Sequence, residues 1–151
     1  MSSTATSMDS IAIDEFLRGQ PVGVLAMASD DGVYAIPVSF AYDEDGPDLY
    51  FRLGYGPDSQ KRAFVEGADH ATFVVFDHTD AGWKSVVAEG RLEALSESTL
   101  DTSVLQSIER LRIPFYAVHR RPAAELEFSI VRLDVSHLSG VAEPTRTTQV
   151  G

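Results

Sequence analysis

The chain contains no cysteine, which excludes disulfides, thiolate metal ligands and cysteine nucleophiles together and suits a reducing cytoplasm. Positive charge is also scarce: Lys and Arg number 12 against 23 Asp and Glu, for a formal net charge of -11 and a pI near 4.6. Such a balance repels polyanions, so nucleic acid is not an expected partner. The lysines are Lys61 and Lys84 alone. A carboxylate-rich, lysine-poor surface is best tolerated where salt screens its self-repulsion, so a halophilic origin is expected. No apolar run approaches the roughly 20 residues of a membrane helix. Residues 1–8 lack the basic start and apolar stretch of a secretory signal and read as a frayed tail, so export is not expected. Neither G-x-G-x-x-G nor G-x-x-x-x-G-K-[ST] occurs, no G-x-S-x-G elbow is present, and the 4 histidines show no metal-ligand spacing.

What the chain does have is short alternating apolar segments separated by turn residues. At 151 residues it fits one domain, taken as residues 9–142 between an N-terminal tail and a loose C-terminal tail, 143–151. An opening helix follows Asp9 or Ser10 as cap, with Ile13, Phe16 and Leu17 at helical spacing and Gly19 and Pro21 ending the pattern. Residues 22–29, 33–42 and 48–53 read as a meander of strands parted by Asp30-Asp31-Gly32 and by the acidic turn 43–47. Residues 60–67 suggest a short helix. Residues 71–78 and 83–95 resume β character around 79–82. Residues 97–111 have helical periodicity, and 126–140 supply a last strand. Six short strands with peripheral helices and no βαβ alternation predict a mainly β protein, a closed or nearly closed antiparallel barrel, because closure hides sheet edges.

The succession of a D-G turn, Tyr34-Ala-Ile-Pro-Val-Ser-Phe40, an acidic turn, Leu49-Tyr-Phe-Arg52, a glycine loop, Ser59-Gln60-Lys61, and Trp83-Lys-Ser-Val-Val-Ala-Glu-Gly90 resembles the pyridoxamine 5'-phosphate oxidase-like family. The likeness is strongest to its FMN-binding split-barrel branch related to nitroimidazole reductases. It spans roughly residues 13–95 and fits the last strand more loosely. The resemblance implies a six-stranded antiparallel split barrel and a homodimer holding FMN in grooves between subunits. It places Pro37, Val38, Ser39 and Phe40 beside the flavin ring, with Phe51 and Arg52 on the neighbouring strand. Lys61, with Ser59 and Gln60 before it, falls at the phosphate-binding position. Ser85 falls at a polar flavin contact reached from the partner subunit, bordered by Trp83 and Lys84. Relatives often carry a histidine near Arg52, and the family's C-terminal substrate-binding arginine motif has no counterpart in residues 140–151.

Physical chemistry supports the same residues on separate grounds. An acidic protein holds a phosphate only by gathering cations locally, and Lys61 and Arg62 at the start of an expected helix add free N–H groups and a positive dipole end. Pro37 within a strand removes a ladder donor, so its segment is expected at an edge or an interrupted ladder, with backbone groups left for a planar heterocycle. Each residue also has a plainer role. Pro37 would block an edge, Val38 and Phe40 would be core on a period-2 strand, Trp83 would anchor packing or a dimer contact, and Lys61 would be solvated. The expected activity is flavin-dependent electron transfer from NADH or NADPH to a small oxidised substrate, with no catalytic acid or base named. A split barrel loaded with deazaflavin F420 or haem, and a non-enzymatic flavin sensor or carrier, are the alternatives.

Overall fold

The computed structural model describes residues 5–30, 32–55, 70–95 and 127–144. The expected helices at 60–67 and 97–111 lie outside the described residues. The opening helix, α1 (Ser10–Arg18), is capped by Asp9, whose carboxylate accepts the Ala12 amide at 2.8 Å. That bond satisfies one of the free amides of a first turn. Its apolar stripe, Ile13, Phe16 and Leu17, is buried.

The strands are β1 (Thr6–Ser7), β2 (Val22–Ser29), β3 (Gly32–Asp43), β4 (Asp48–Tyr55), β5 (His70–Thr79), β6 (Gly82–Leu95) and β7 (Glu127–Pro144). Every pairing is antiparallel, in the order β1-β7-β4-β3-β2-β5-β6, and β7 also pairs β6. The ring β7-β4-β3-β2-β5-β6 therefore closes on itself, as the alternating pattern predicted. Two residues of the stretch read as a tail, Thr6 and Ser7, pair with Ala142 and Val141, and the Met8 amide donates to the Gly140 carbonyl at 2.8 Å. The glycines of the tight turns, Gly32 and Gly82, have φ of 129° and 121°, where a side chain would be strained.

One face of each strand fills the barrel: Leu25 and Met27, Val38, Phe40 and Tyr42, Leu49, Phe51 and Leu53, Phe73 and Val75, Val86 and Ala88, Val131 and Leu133. Phe73 sits centrally, with its ring 5.0 Å from that of Phe40 and 4.9 Å from that of Phe51. Burying each such ring stabilises the fold by about 1.5–3 kcal/mol. α1 packs over β7 at Gly140, where a Cβ would press on Ile13 and Met8. Tyr42 donates to the Asp14 carboxylate at 2.6 Å and Arg18 pairs with Glu44, so α1 is tied to β3 and to the β3–β4 turn by polar contacts as well.

Two irregularities shape the barrel. The first is a change of partner along β3: residues 32–39 pair with β2, whereas residues 40–43 pair with β4. Beyond the Phe40–Phe51 pair the two strands part. The second is a bulge on β7, where Glu89 pairs with His137 and Gly90 with Val135. Ser136 is the extra residue, and its hydroxyl donates to the Glu89 carbonyl at 3.2 Å. Such a bulge bends a long strand, and it lets β7 run beside β4 at one end and β1 at the other. No helix among the described residues is long and apolar enough to cross a membrane.

Candidate functional site

The parting of β3 from β4 brings Pro37, Val38, Ser39, Phe40, Phe51 and Arg52 to one place. Pro37, Val38 and Ser39 end the segment that has β2 on one side and no described strand on the other. Arg52 is the first residue of β4 beyond the last β3–β4 pair. Pro37 is thus an edge residue, as its missing N–H required. On the open side of residues 32–39, alternate residues direct backbone amides and carbonyls away from β2. That is a row of donors and acceptors suited to a planar heterocycle.

Side-chain direction divides the candidates. Val38, Phe40 and Phe51 point into the barrel, at 4%, 4% and 0% exposure, so a ligand at the split would meet them through backbone. Pro37 and Arg52 point outward and are exposed, while Ser39 faces outward but is buried at the point where β3 changes partner. Trp83 and Ser85 also face outward, on β6, and Lys84 lies half-buried on the inner side opposite Asp77. Asp77 in turn accepts from the Gln20 side chain at 3.1 Å. Ser59, Gln60 and Lys61 lie outside the described residues.

The outward face that carries Pro37 and Ser85 is unusually apolar. Pro37, Val24, Val74, Val87 and Ser139 form one register row across β3, β2, β5, β6 and β7, and none of them is buried. The row below runs Ala35, Ala26, Thr72, Glu89, His137. Above lie Phe76, Ser85 and Val141, and then His78, Trp83 and Glu143. Phe76, Trp83 and Val141 are 59%, 50% and 43% exposed, and the Trp83 ring packs on His78 at 4.7 Å. The face is a contiguous, partly exposed apolar patch of the sheet. It escaped the sequence reading, although a signal was present: β2, β5 and β6 carry apolar residues at both parities, whereas a strand with a solvated face alternates.

A second polar group lies where β7 runs between β4 and β6. Arg132 donates to Glu93 at 2.6 Å, which holds its guanidinium above the ordinary arginine range. Burial pushes the Tyr50 phenol up, and burial with neighbouring carboxylates raises Asp48. Asp48 pairs across the sheet with both Asp43 and Asp134, a row of like charges. Among the described residues no three acidic or histidine side chains are grouped to hold a metal ion.

An antiparallel barrel whose β3 parts from β4 along one seam, with Arg52 at the parting, is a split barrel. The family model described as pyridoxamine 5'-phosphate oxidase matches residues 9–142, and the chain belongs to that family. No curated protein matches it. Among solved structures it is similar to a conserved Corynebacterium diphtheriae protein of unknown function, with 25% identity and a TM-score of 0.66 over 92% of this chain and 98% of that one. It is also similar to an FAD-binding protein from Mesorhizobium loti, with 20% identity and a TM-score of 0.65 over 95% and 99%. A third similar structure is the FAD-binding protein from Mycobacterium smegmatis, with 17% identity and a TM-score of 0.66 over 93% and 100%.

Proposed function

We propose that this protein is a homodimeric FMN-binding oxidoreductase that passes electrons from NADH or NADPH to a small oxidised substrate. The observation that carries the reading is the seam. The open edge ending at Pro37 to Ser39 and the outward Arg52 stand on its two lips, and Pro37 shares its apolar face with Ser85 and Trp83.

Flavin fits what these residues offer. Its pyrimidine ring needs hydrogen-bond partners, which an open strand edge supplies through backbone, and a guanidinium at the lip favours a ring that gains negative charge on reduction. Bound flavin would supply the redox chemistry, accepting two electrons and handing them on. The protein's part is to bind, orient and shield. Ser59, Gln60 and Lys61 would hold the phosphate, with Lys61 as the charged donor, and Ser85 would reach the ring from the second subunit. The apolar face would be covered by that subunit, bringing Trp83 to the border of the groove, whereas Lys84, turned to the inner side opposite Asp77, would border it only through its backbone.

Purified protein is expected to be yellow and to release FMN, identified by mass spectrometry. Release of FAD, as the Mesorhizobium loti and Mycobacterium smegmatis neighbours would suggest, would keep the class and change the cofactor. A colourless protein that does not take up FMN would refute the reading. Stopped-flow mixing with NADH and NADPH tests the enzyme: bleaching of the flavin is expected, and failure with both donors would leave a flavin carrier.

A further inference from the structure

We infer that Met8 is a peroxide-sensitive latch: oxidation of its thioether to the sulfoxide releases β1 and the first turn of α1 from β7. The inference stands on the N-terminal segment alone and is independent of any cofactor.

Met8 lies between β1 and the helix, immediately before the capping residue Asp9. Three bonds meet at this short stretch. The Met8 amide donates to the Gly140 carbonyl at 2.8 Å, the Ala12 amide to the Asp9 carboxylate at 2.8 Å, and the Ile13 amide to the Asp9 carbonyl at 3.0 Å. Met8 precedes the cap and Ile13 is the fourth helical residue, which is the spacing of a hydrophobic staple that fixes how a chain enters its helix. Both close on one point of β7. A Cβ built on Gly140 would stand 2.9 Å from Ile13 Cγ1, 2.9 Å from Met8 Sδ and 3.1 Å from Met8 Cβ. The thioether thus lies on bare backbone and packs against the core, in space that only a glycine leaves open.

An unbranched, polarisable side chain suits that seat, and its sulfoxide does not. Peroxide gives one oxygen to sulfur while the other leaves with both protons as water. The O–O bond breaks and an S–O bond forms, so sulfur loses the two electrons that peroxide gains. The new group is strongly polar and needs a donor. The Gly140 carbonyl is an acceptor already engaged by the Met8 amide, and Ile13 presents only carbon. An S=O held there without a hydrogen bond is unfavourable, so the side chain turns to water and the staple opens. Access separates Met8 from the other methionine of the described residues. Met8 is half-buried, whereas Met27 is 1% exposed inside the barrel. The ties of Asp14 to Tyr42 and of Arg18 to Glu44 lie further along the helix and hold its second half. The release is therefore local, and reduction of the sulfoxide by a thiol-dependent reductase restores the contact.

The deciding experiment exposes the full chain to hydrogen peroxide at a dose that oxidises every methionine of the urea-unfolded chain. Peptide mass spectrometry locates the oxygen, and NMR follows amide hydrogen exchange. Met8 is expected to be oxidised and Met27 spared. Exchange at the Met8, Ala12 and Ile13 amides should quicken by about tenfold or more, while amides of β5 stay unchanged, as a local opening requires. Methionine sulfoxide reductases of both stereospecificities should reverse the change. Met8→Leu, a swap of similar volume, should show no response to peroxide, and Met27→Leu should respond as the native chain does. Resistance of Met8, oxidation of Met27 ahead of it, unchanged exchange in the Met8 sulfoxide, or the same quickening in Met8→Leu would each overturn the inference.

Discussion

At the level of single residues, the phosphate contact proposed for Lys61 and the Tyr42–Asp14 bond give the sharpest expectations. Lys61→Ala should weaken FMN binding by roughly 1.5–3 kcal/mol, the scale of one charged hydrogen bond, measured by fluorescence titration of the apoprotein. Unchanged affinity would remove Lys61 from the site. Burial, then the bond to Asp14, raises the Tyr42 phenol far above the usual tyrosine range. Because the folded state holds this proton more tightly than the unfolded chain, the stabilisation is complete below about pH 10, the ordinary tyrosine value, and is lost as pH climbs from there. Tyr42→Phe should cost about 1.5–3 kcal/mol at neutral pH, by leaving the half-buried Asp14 without its donor. It should also flatten the alkaline limb of the stability curve, read by urea unfolding at pH 8 and 10.5. Gly23 is intolerant for a steric reason: a Cβ there would run into the Phe73 ring at the barrel centre.

Among the elements, β4 and β7 carry a local electrostatic burden. Asp48 faces Asp43 and Asp134, and burial raises its carboxyl above the usual range. The ionised form is therefore destabilising in the fold, and stability is regained as pH falls through the raised value. Asp48→Asn should raise the thermal midpoint at neutral pH in low salt, and the gain should shrink in molar salt as screening takes over. A lower midpoint in low salt would show that the attraction of Asp48 to Arg132 prevails over burial and like-charge repulsion. The strands themselves were legible because short apolar runs bounded by D-G or T-D-A-G turns mark their extent, as at 22–29 and 83–95. Pro37 made the interruption of the β3 ladder legible, but not the point of partner exchange, since Ser39 and Phe40 are ordinary strand residues and only the paths of β2 and β4 separate them. Nor was the bulge, because Ser136 interrupts a pattern that reads equally well without it. Alternation alone left Val38 and Phe40 poised between core and cofactor; the register resolves this by turning their side chains inward and leaving the edge to backbone. β1 was hidden because Thr6 and Ser7 have no pattern of their own and gain order only from β7.

For the molecule as a whole, the excess of carboxylates predicts that salt stabilises. Thermal unfolding in increasing KCl should show a rising midpoint, and a level or falling one would sink the halophilic reading. Ring closure has a further consequence, for the order in which the structure can be made. β7 is the strand that joins β1, β4 and β6, and it is the last of the described elements in the chain. A nascent polypeptide emerging from the ribosome must hold the facing edges of β4 and β6 unpaired until β7 is synthesised, and unpaired edges invite other chains. The inward-closing register then depends on pairings distant in sequence, which are slow to form. Synthesis stalled before residue 127 should therefore leave a chain that chaperones bind and proteases cut, whereas release of the finished strand converts it to the resistant barrel in one late step.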